Sequence, residues 1–238
     1  MILGLDPSLR NFGWVLITDE GEYLDKGMMG TEADMVFVER YIYLREGLRK
    51  VVQTIRSKYP KVELRVGIES PIFNDLYSEG MYGLFLYSNE ALMLEGLDTV
   101  YLTPNQVKAH AHMYLNRPKG WKMQKADMVE AAKKATDGQG AKGWNHHQAD
   151  AYWVGRTAGR FWQLVEGKIE IADLSDLERK HFTDLERYVQ GKKAGRVKRM
   201  GLTHKEDDRY FRWSSNPITT EAQGSIVEPS NTHGADNE

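Results

Sequence analysis

Three stretches of this chain place acids or imidazoles where a strand ends or a helix begins. In MILGLDPSLRNFGWVLI, Asp6 follows the apolar residues Ile2, Leu3 and Leu5 and precedes Pro7, which biases it to an extended backbone, so it stands at the end of a short buried strand. In VELRVGIES, Glu69 closes a second such run after the core-like Val66 and Ile68, and Ser70 and Pro71 stop the strand. Glu is depleted from such positions unless it is paired or used. In NHHQADAYW, His147 and Asp150 are three residues apart and project from one face near the start of a helix; His146, four residues before Asp150, shares that face. Each alone has a plain structural account: Asp6 as an acceptor in an Asx turn, His147 or Asp150 as compensation for the helix N-terminus. Together they ask for more. Two acids on neighbouring strand ends repel unless a proton or a cation lies between them. Asp6, Glu69, Asp150 and an imidazole are hard ligands suited to two Mg²⁺ or Mn²⁺ ions about 3.5–4 Å apart, which support attack of water on a phosphodiester.

The elements that position these groups follow from periodicity. Residues 1–29 read as three short strands separated by turn signals at NFG and DEGE. Residues 32–59 carry Phe37, Ile42, Leu44, Leu48, Val52 and Ile55 at helical spacing and predict a long amphipathic helix. A strand at 62–70, a helix at 77–97, a strand at 98–104, two helical pieces (PNQVKAHAHMYL and MQKADMVEAAKKA), a Gly-rich break at 136–144 and a helix from about His147 to Val165 complete the core. Hairpins followed by strand and helix alternation predict an α/β fold with a mixed sheet and helices on its faces.

Composition sets the bounds. The chain has 238 residues, 41% hydrophobic and 28% charged, enough for one full domain with an appendage. It has no cysteine, which excludes disulfides and thiolate metal sites and leaves hard cations on oxygen and imidazole. No apolar stretch is long enough for a membrane span and the start lacks a signal-peptide pattern, so the cytoplasm is the expected location. The formal net charge is -2, so any nucleic-acid role depends on where the charge lies. The segment 191–205 is strongly basic, whereas the stretch after Trp213 has no Lys or Arg.

The segments LGLDPSLRNFGW, VGIESP, LTPNQVKAHAH, the Lys of MQKADMV and HHQADAYWVG come in an order and spacing that resemble the RuvC family of Holliday-junction resolvases. The likeness covers residues 1 to about 166. It implies an RNase H-like five-stranded mixed sheet and a homodimeric endonuclease that nicks four-way DNA junctions symmetrically, with Mg²⁺ or Mn²⁺ as cofactor. By position it implies that Asp6, Glu69, His147 and Asp150 are the metal-binding and catalytic set. Some family members carry Asp where this chain has His147, and imidazole leans the metal preference toward Mn²⁺. The H-x-x-D spacing of the family favours His147 over His146. Lys108 and Lys125 take the places of lysines near the scissile phosphate, and Phe73, with Tyr77 in reserve, that of an aromatic wedge at the crossover. Phe73 lies one residue further along than the family pattern. Arg10 and Asn11 either contact DNA or shape the first hairpin. The helix over 77–97 is apolar beyond the needs of one core-facing stripe, which suits either a dimer interface or plain burial.

The chain departs from compact members by about 70 further residues. We divide it into a nuclease domain at 1–168, a charged helical and basic extension at 169–213, and a tail at 214–238 expected to be disordered. The extension is either an added arm on junction phosphates or a solubilising tail, and its presence suggests a phage or otherwise divergent member, acting in the host cytoplasm. Three other functions compete. An RNase H-like site could cut other branched DNA, RNA–DNA hybrids or RNA. A non-catalytic junction-binding protein would have vestigial acids, against which the intact set of four argues. A sugar-kinase-type phosphotransferase would need a second Gly-rich phosphate loop and a duplicated domain, and the sequence has neither.

Overall fold

In a computed structural model the described residues are 1–71, 79–115, 117–118, 120–139, 143–176, 178, 202–204 and 210–212. Strands β1 (Ile2–Asp6), β2 (Asn11–Ile17), β3 (Tyr23–Gly30), β4 (Arg65–Glu69) and β5 (Thr99–Leu102) form one sheet in the order β3-β2-β1-β4-β5. The first three pair antiparallel, and β4 and β5 run parallel to β1. Helices α1 (Phe37–Lys58) and α2 (Glu79–Leu94) cover one face. Helices α3 (Pro104–His112), α4 (Lys125–Ala135) and α5 (His146–Val165) cover the other. The mixed five-stranded sheet flanked by helices is the arrangement expected from the sequence. Among the described residues no helix is long and apolar enough to cross a membrane.

Strand alternation decides which side chains meet which helices. In β1, Leu3 and Leu5 pack toward α1 and α2, while Ile2 packs toward α5. Gly4 and Asp6 share the side of Ile2 by the same parity. In β4, Val66 and Ile68 join the α1 side, so Gly67 and Glu69 face α5. Both strand-end acids are therefore delivered to the face on which α5 lies.

The sheet admits α5 at unusually short range. A Cβ on Gly4 would come within 2.0 Å of the Ala151 carbonyl oxygen, and one on Gly13 within 2.5 Å of that of His147. On the helix side, Ala151, Gly155 and Ala158 present little bulk. Trp153, Tyr152 and Phe161 fill the flanks and are fully buried.

Two helices differ from their expected limits for local reasons. The helix expected from residue 32 begins at Phe37, because the buried Arg40 guanidinium donates to the carbonyls of Ala33 (2.8 Å) and Met35 (2.9 Å) and holds that segment as a loop. Glu39 closes the end by accepting from the Val36 amide at 3.0 Å. The buried stripe runs through Tyr41, Leu44, Leu48, Val52 and Ile55, whereas Phe37 and Ile42, which share the helical spacing, are exposed. Helix α2 stops where Gly96, at φ +61°, lets the Leu97 amide turn back to the Leu92 carbonyl at 3.0 Å.

After α5 a short 3-10 turn (Ile171–Asp173) brings Leu174 into the core on the α3 and α5 side. Glu178 then accepts from Arg160 Nε at 3.1 Å and from Ser175 Oγ at 2.8 Å. Strands β6 (Leu202–His204) and β7 (Tyr210–Arg212) pair antiparallel. The rest of the charged extension and the tail after Trp213 lie outside the described residues.

Gly4→Ala should lower the unfolding free energy by about 3 kcal/mol or more, since backbone rather than a side-chain tip would have to move. Chemical denaturation of the two proteins measures this directly, and a midpoint equal to the wild type's would contradict the packing described.

Candidate active site

Asp6 is the last residue of β1 and Glu69 the last of β4, and the parallel register that pairs Leu5 with Ile68 sets them on adjacent strand ends. Neighbouring strands lie about 4.8 Å apart. Helix α5 starts above them. The Asn145 side chain accepts from the Gln148 amide at 2.9 Å and Gln148 Oε1 accepts from the Asn145 amide at 3.3 Å, which fixes the first turn. Asn145 Nδ2 also donates to Met28 Sδ at 2.7 Å, tying the turn to β3. From that turn His147 Nδ1 reaches Asp6 Oδ2, with a hydrogen bond of 2.7 Å. His146 lies against His147, ring centroids 4.1 Å apart and the rings tilted by 38°, and makes no such bond to Asp6 among the described contacts.

The electrostatics are those of a cluster short of positive charge. Burial pushes the Asp6 carboxyl above its ordinary value, against the His147 hydrogen bond and charge and the Lys125 ammonium. Glu69 is driven well above the usual carboxylate range by burial first and then by the charges of Asp6 and Asp150, with Lys108 opposing. Asp150 is pushed up to about 7 by burial and by Asp6, again against Lys108, His147 and Lys125. Lys108 sits on α3 and Lys125 opens α4, both exposed, so two further helices aim cations at the acids without closing on them. Beside Glu69 the buried Ser70 hydroxyl has no hydrogen-bond partner among the described residues.

The structure thus brings together Asp6, Glu69, His147 and Asp150 and sets Lys108 and Lys125 within electrostatic reach of them. Arg10 is exposed in the turn before β2, and its carbonyl accepts the Thr31 amide at 3.2 Å, a role in shaping the hairpin. Phe73 and Tyr77 lie outside the described residues. Among the described residues no three His, Asp or Glu side chains already surround one point. Instead, the His147 ring is turned on to Asp6.

No family model matches the chain. A 65-residue segment is 40% identical to the crossover junction endodeoxyribonuclease RuvC of Methylorubrum extorquens strain PA1, covering 26% of this chain and 34% of that one. The RuvC of Methylobacterium radiotolerans is 37% identical over 65 residues, 26% of this chain and 31% of its own. The chain thus spans about a third of the length of the curated relatives it matches. Among solved structures, Thermus thermophilus RuvC in complex with Holliday junction substrate superposes with a TM-score of 0.53 at 18% identity, over 68% of this chain and 95% of that one. A second T. thermophilus RuvC structure gives 0.50 at 17% identity, with the same coverage. The chain is RuvC-like. Its sheet and helices account for why Asp6, Glu69 and Asp150 converge although they come from three separate sequence segments.

Sequence reasoning missed the residues that place this cluster rather than those that form it. Asn145 and Gln148 spell a capping box, N-x-x-Q, just before an apolar periodic run, a signal that was available. Gly13 carried none, because its role exists only once α5 lies across the sheet.

Raised carboxyl values carry a definite sign. Between the ordinary values near 4 and about 7, the folded metal-free protein holds more protons than the unfolded chain, so its stability falls as pH rises through that window. Thermal unfolding in EDTA should therefore show a midpoint that drops from about pH 5 to about pH 8. Glu69→Gln should flatten that slope and raise the midpoint at the alkaline end; a variant with the wild-type slope would refute the charge deficit.

Proposed function

We propose that this chain is a metal-dependent endonuclease that resolves four-way DNA junctions by symmetric phosphodiester hydrolysis. The observation that carries the reading is the gathering of three mutually repelling carboxylates, the buried Asp6 and the half-buried Glu69 and Asp150, where two strand ends meet the start of α5, a repulsion that a divalent cation would relieve. The donor set fits such a cation, being oxygen and imidazole throughout. Asp6, Glu69 and Asp150 would hold it, with His147 available once its ring leaves Asp6. Bound Mg²⁺ or Mn²⁺ supplies a water of lowered pKa and charge stabilisation for the leaving 3′ oxygen. The chain's own groups do the rest. Lys108 and Lys125 hold the phosphate against the acids, and the exclusion of solvent around Asp6 strengthens both. His147, hydrogen-bonded to Asp6, keeps that carboxylate oriented in the absence of DNA.

The likeness to RuvC over a partial segment supports the substrate class, and a solved neighbour is RuvC bound to a Holliday junction substrate. Paired nicks need two sites, and α2 offers a surface for a second copy. Tyr82, Leu86, Met93 and Leu94 are all exposed there, while Leu84, Ala91 and Leu92 are buried beneath.

Mixed with a synthetic four-way junction in Mg²⁺ or Mn²⁺, the protein should make paired, ligatable nicks and leave linear duplex intact. EDTA should abolish cutting, and Asp6→Asn should slow it on the order of a thousand-fold while junction binding persists. Faster cutting of RNA–DNA hybrids or flaps would keep the site and replace the substrate, and binding without cutting in either metal would favour a purely architectural role. Leu86→Glu should shift the protein to a monomer in light scattering and uncouple the two nicks, leaving junctions cut once.

A further inference from the structure

Trp121 stands in the connection between α3 and α4 with 46% of its surface exposed, and both its amide and its indole N–H are hydrogen-bonded. Its amide donates to the Pro118 carbonyl at 3.0 Å, closing a turn in which Gly120 takes φ +87°. Its indole Nε1 donates to Asp127 Oδ2 at 3.0 Å. Asp127 is itself buried and also accepts from the Gln124 amide at 2.9 Å and from Arg117 Nε and Nη2 at 3.3 and 3.1 Å. The Arg117 guanidinium lies 5.6 Å from the ring centroid, and its Nη2 also donates to Glu130 Oε2 at 2.6 Å. These bonds, the indole's foremost, keep the Asp127 carboxyl below its ordinary value, so the clamp stays charged.

A large aromatic held this firmly and left this open is not filling a core. Its one polar atom is already used by Asp127, so it has no hydrogen-bonding edge to read a base and offers only a π face. Such a face binds any unpaired base by stacking. The location is equally specific. Trp121 is four residues before Lys125, whose charge acts on Asp6 and Asp150, and four residues span at most about 14 Å. The exposed Lys122 lies between them.

We infer that Trp121 is a stacking platform for an unpaired DNA base a few nucleotides from the cleaved phosphate. The inference rests on the nuclease reading of the site and adds a contact without sequence preference, suited to a branch point where pairing is interrupted.

The test uses the full chain carrying Asp6→Asn, so that no strand is cut, and a four-way junction with one 2-aminopurine placed within four nucleotides of the crossover. The parent should quench the probe on binding. Trp121→Ala should weaken junction binding on the order of ten-fold and leave the probe bright, and Trp121→Phe should restore most of both. Parent-like affinity and quenching in Trp121→Ala would overturn the inference. So would an equal loss on junction and on fully paired linear duplex, or a loss that Trp121→Phe does not repair at an unchanged unfolding midpoint. If the parent itself fails to prefer the junction, the substrate reading fails separately. The same variants on a single-stranded oligonucleotide carrying 2-aminopurine then decide the stacking role, with quenching by the parent and its loss in Trp121→Ala supporting it and equal quenching overturning it.

Discussion

Everything at the site depends on how closely α5 lies against the sheet. With side chains at Gly4 and Gly13 the helix would have to lift off, and the 2.7 Å bond from His147 to Asp6 would open. Gly67 extends the same seam into β4, where a Cβ would meet Ala158 at 2.5 Å. Contact of this kind between backbones is available only where both partners lack bulk. The large side chains Trp153, Tyr152 and Phe161 supply the burial on either side of the seam, so the close approach does not cost the core its apolar content.

That approach has an electrostatic consequence. A helix held farther out would leave water between Asp150 and the strand-end acids, and their carboxyls would titrate in the ordinary range. Held close, the three acids share a poorly solvated space and resist ionisation, which weakens the metal-free fold at neutral pH. Under the proposed function the same crowding is what a cation would relieve, so stability without the metal and the proposed activity would be opposed at these residues.

Much of this was legible beforehand. Short apolar runs stopped at Pro7 and at Ser70 and Pro71 placed Asp6 and Glu69 at strand ends, helical spacing put His147 and Asp150 on one face, and the order of elements gave the mixed sheet. Reading failed where a single side chain overrides periodicity. Arg40 sits in an apolar pattern that continues N-terminally, yet its guanidinium draws in two carbonyls and delays α1 to Phe37. Phe37 and Ile42 have helical spacing but fall outside the stripe that meets the sheet. The choice between His146 and His147 was also beyond spacing alone, since both share a face with Asp150; the direction of the ring is set by Asn145 and Gln148 at the first turn.

The bond from Glu178 to Arg160 ties the stretch after α5 back to that helix. Arg160 lies thirteen residues beyond His147 on α5, a rise of about 20 Å along the helix axis. Glu178 therefore lies well behind the end of α5 that carries His147 and Asp150. An extended chain needs at least about six residues to cover that distance. Under the proposed function, the bond is thus an anchor that sets this length as the shortest tether between Glu178 and any later residue that reaches DNA at the strand ends.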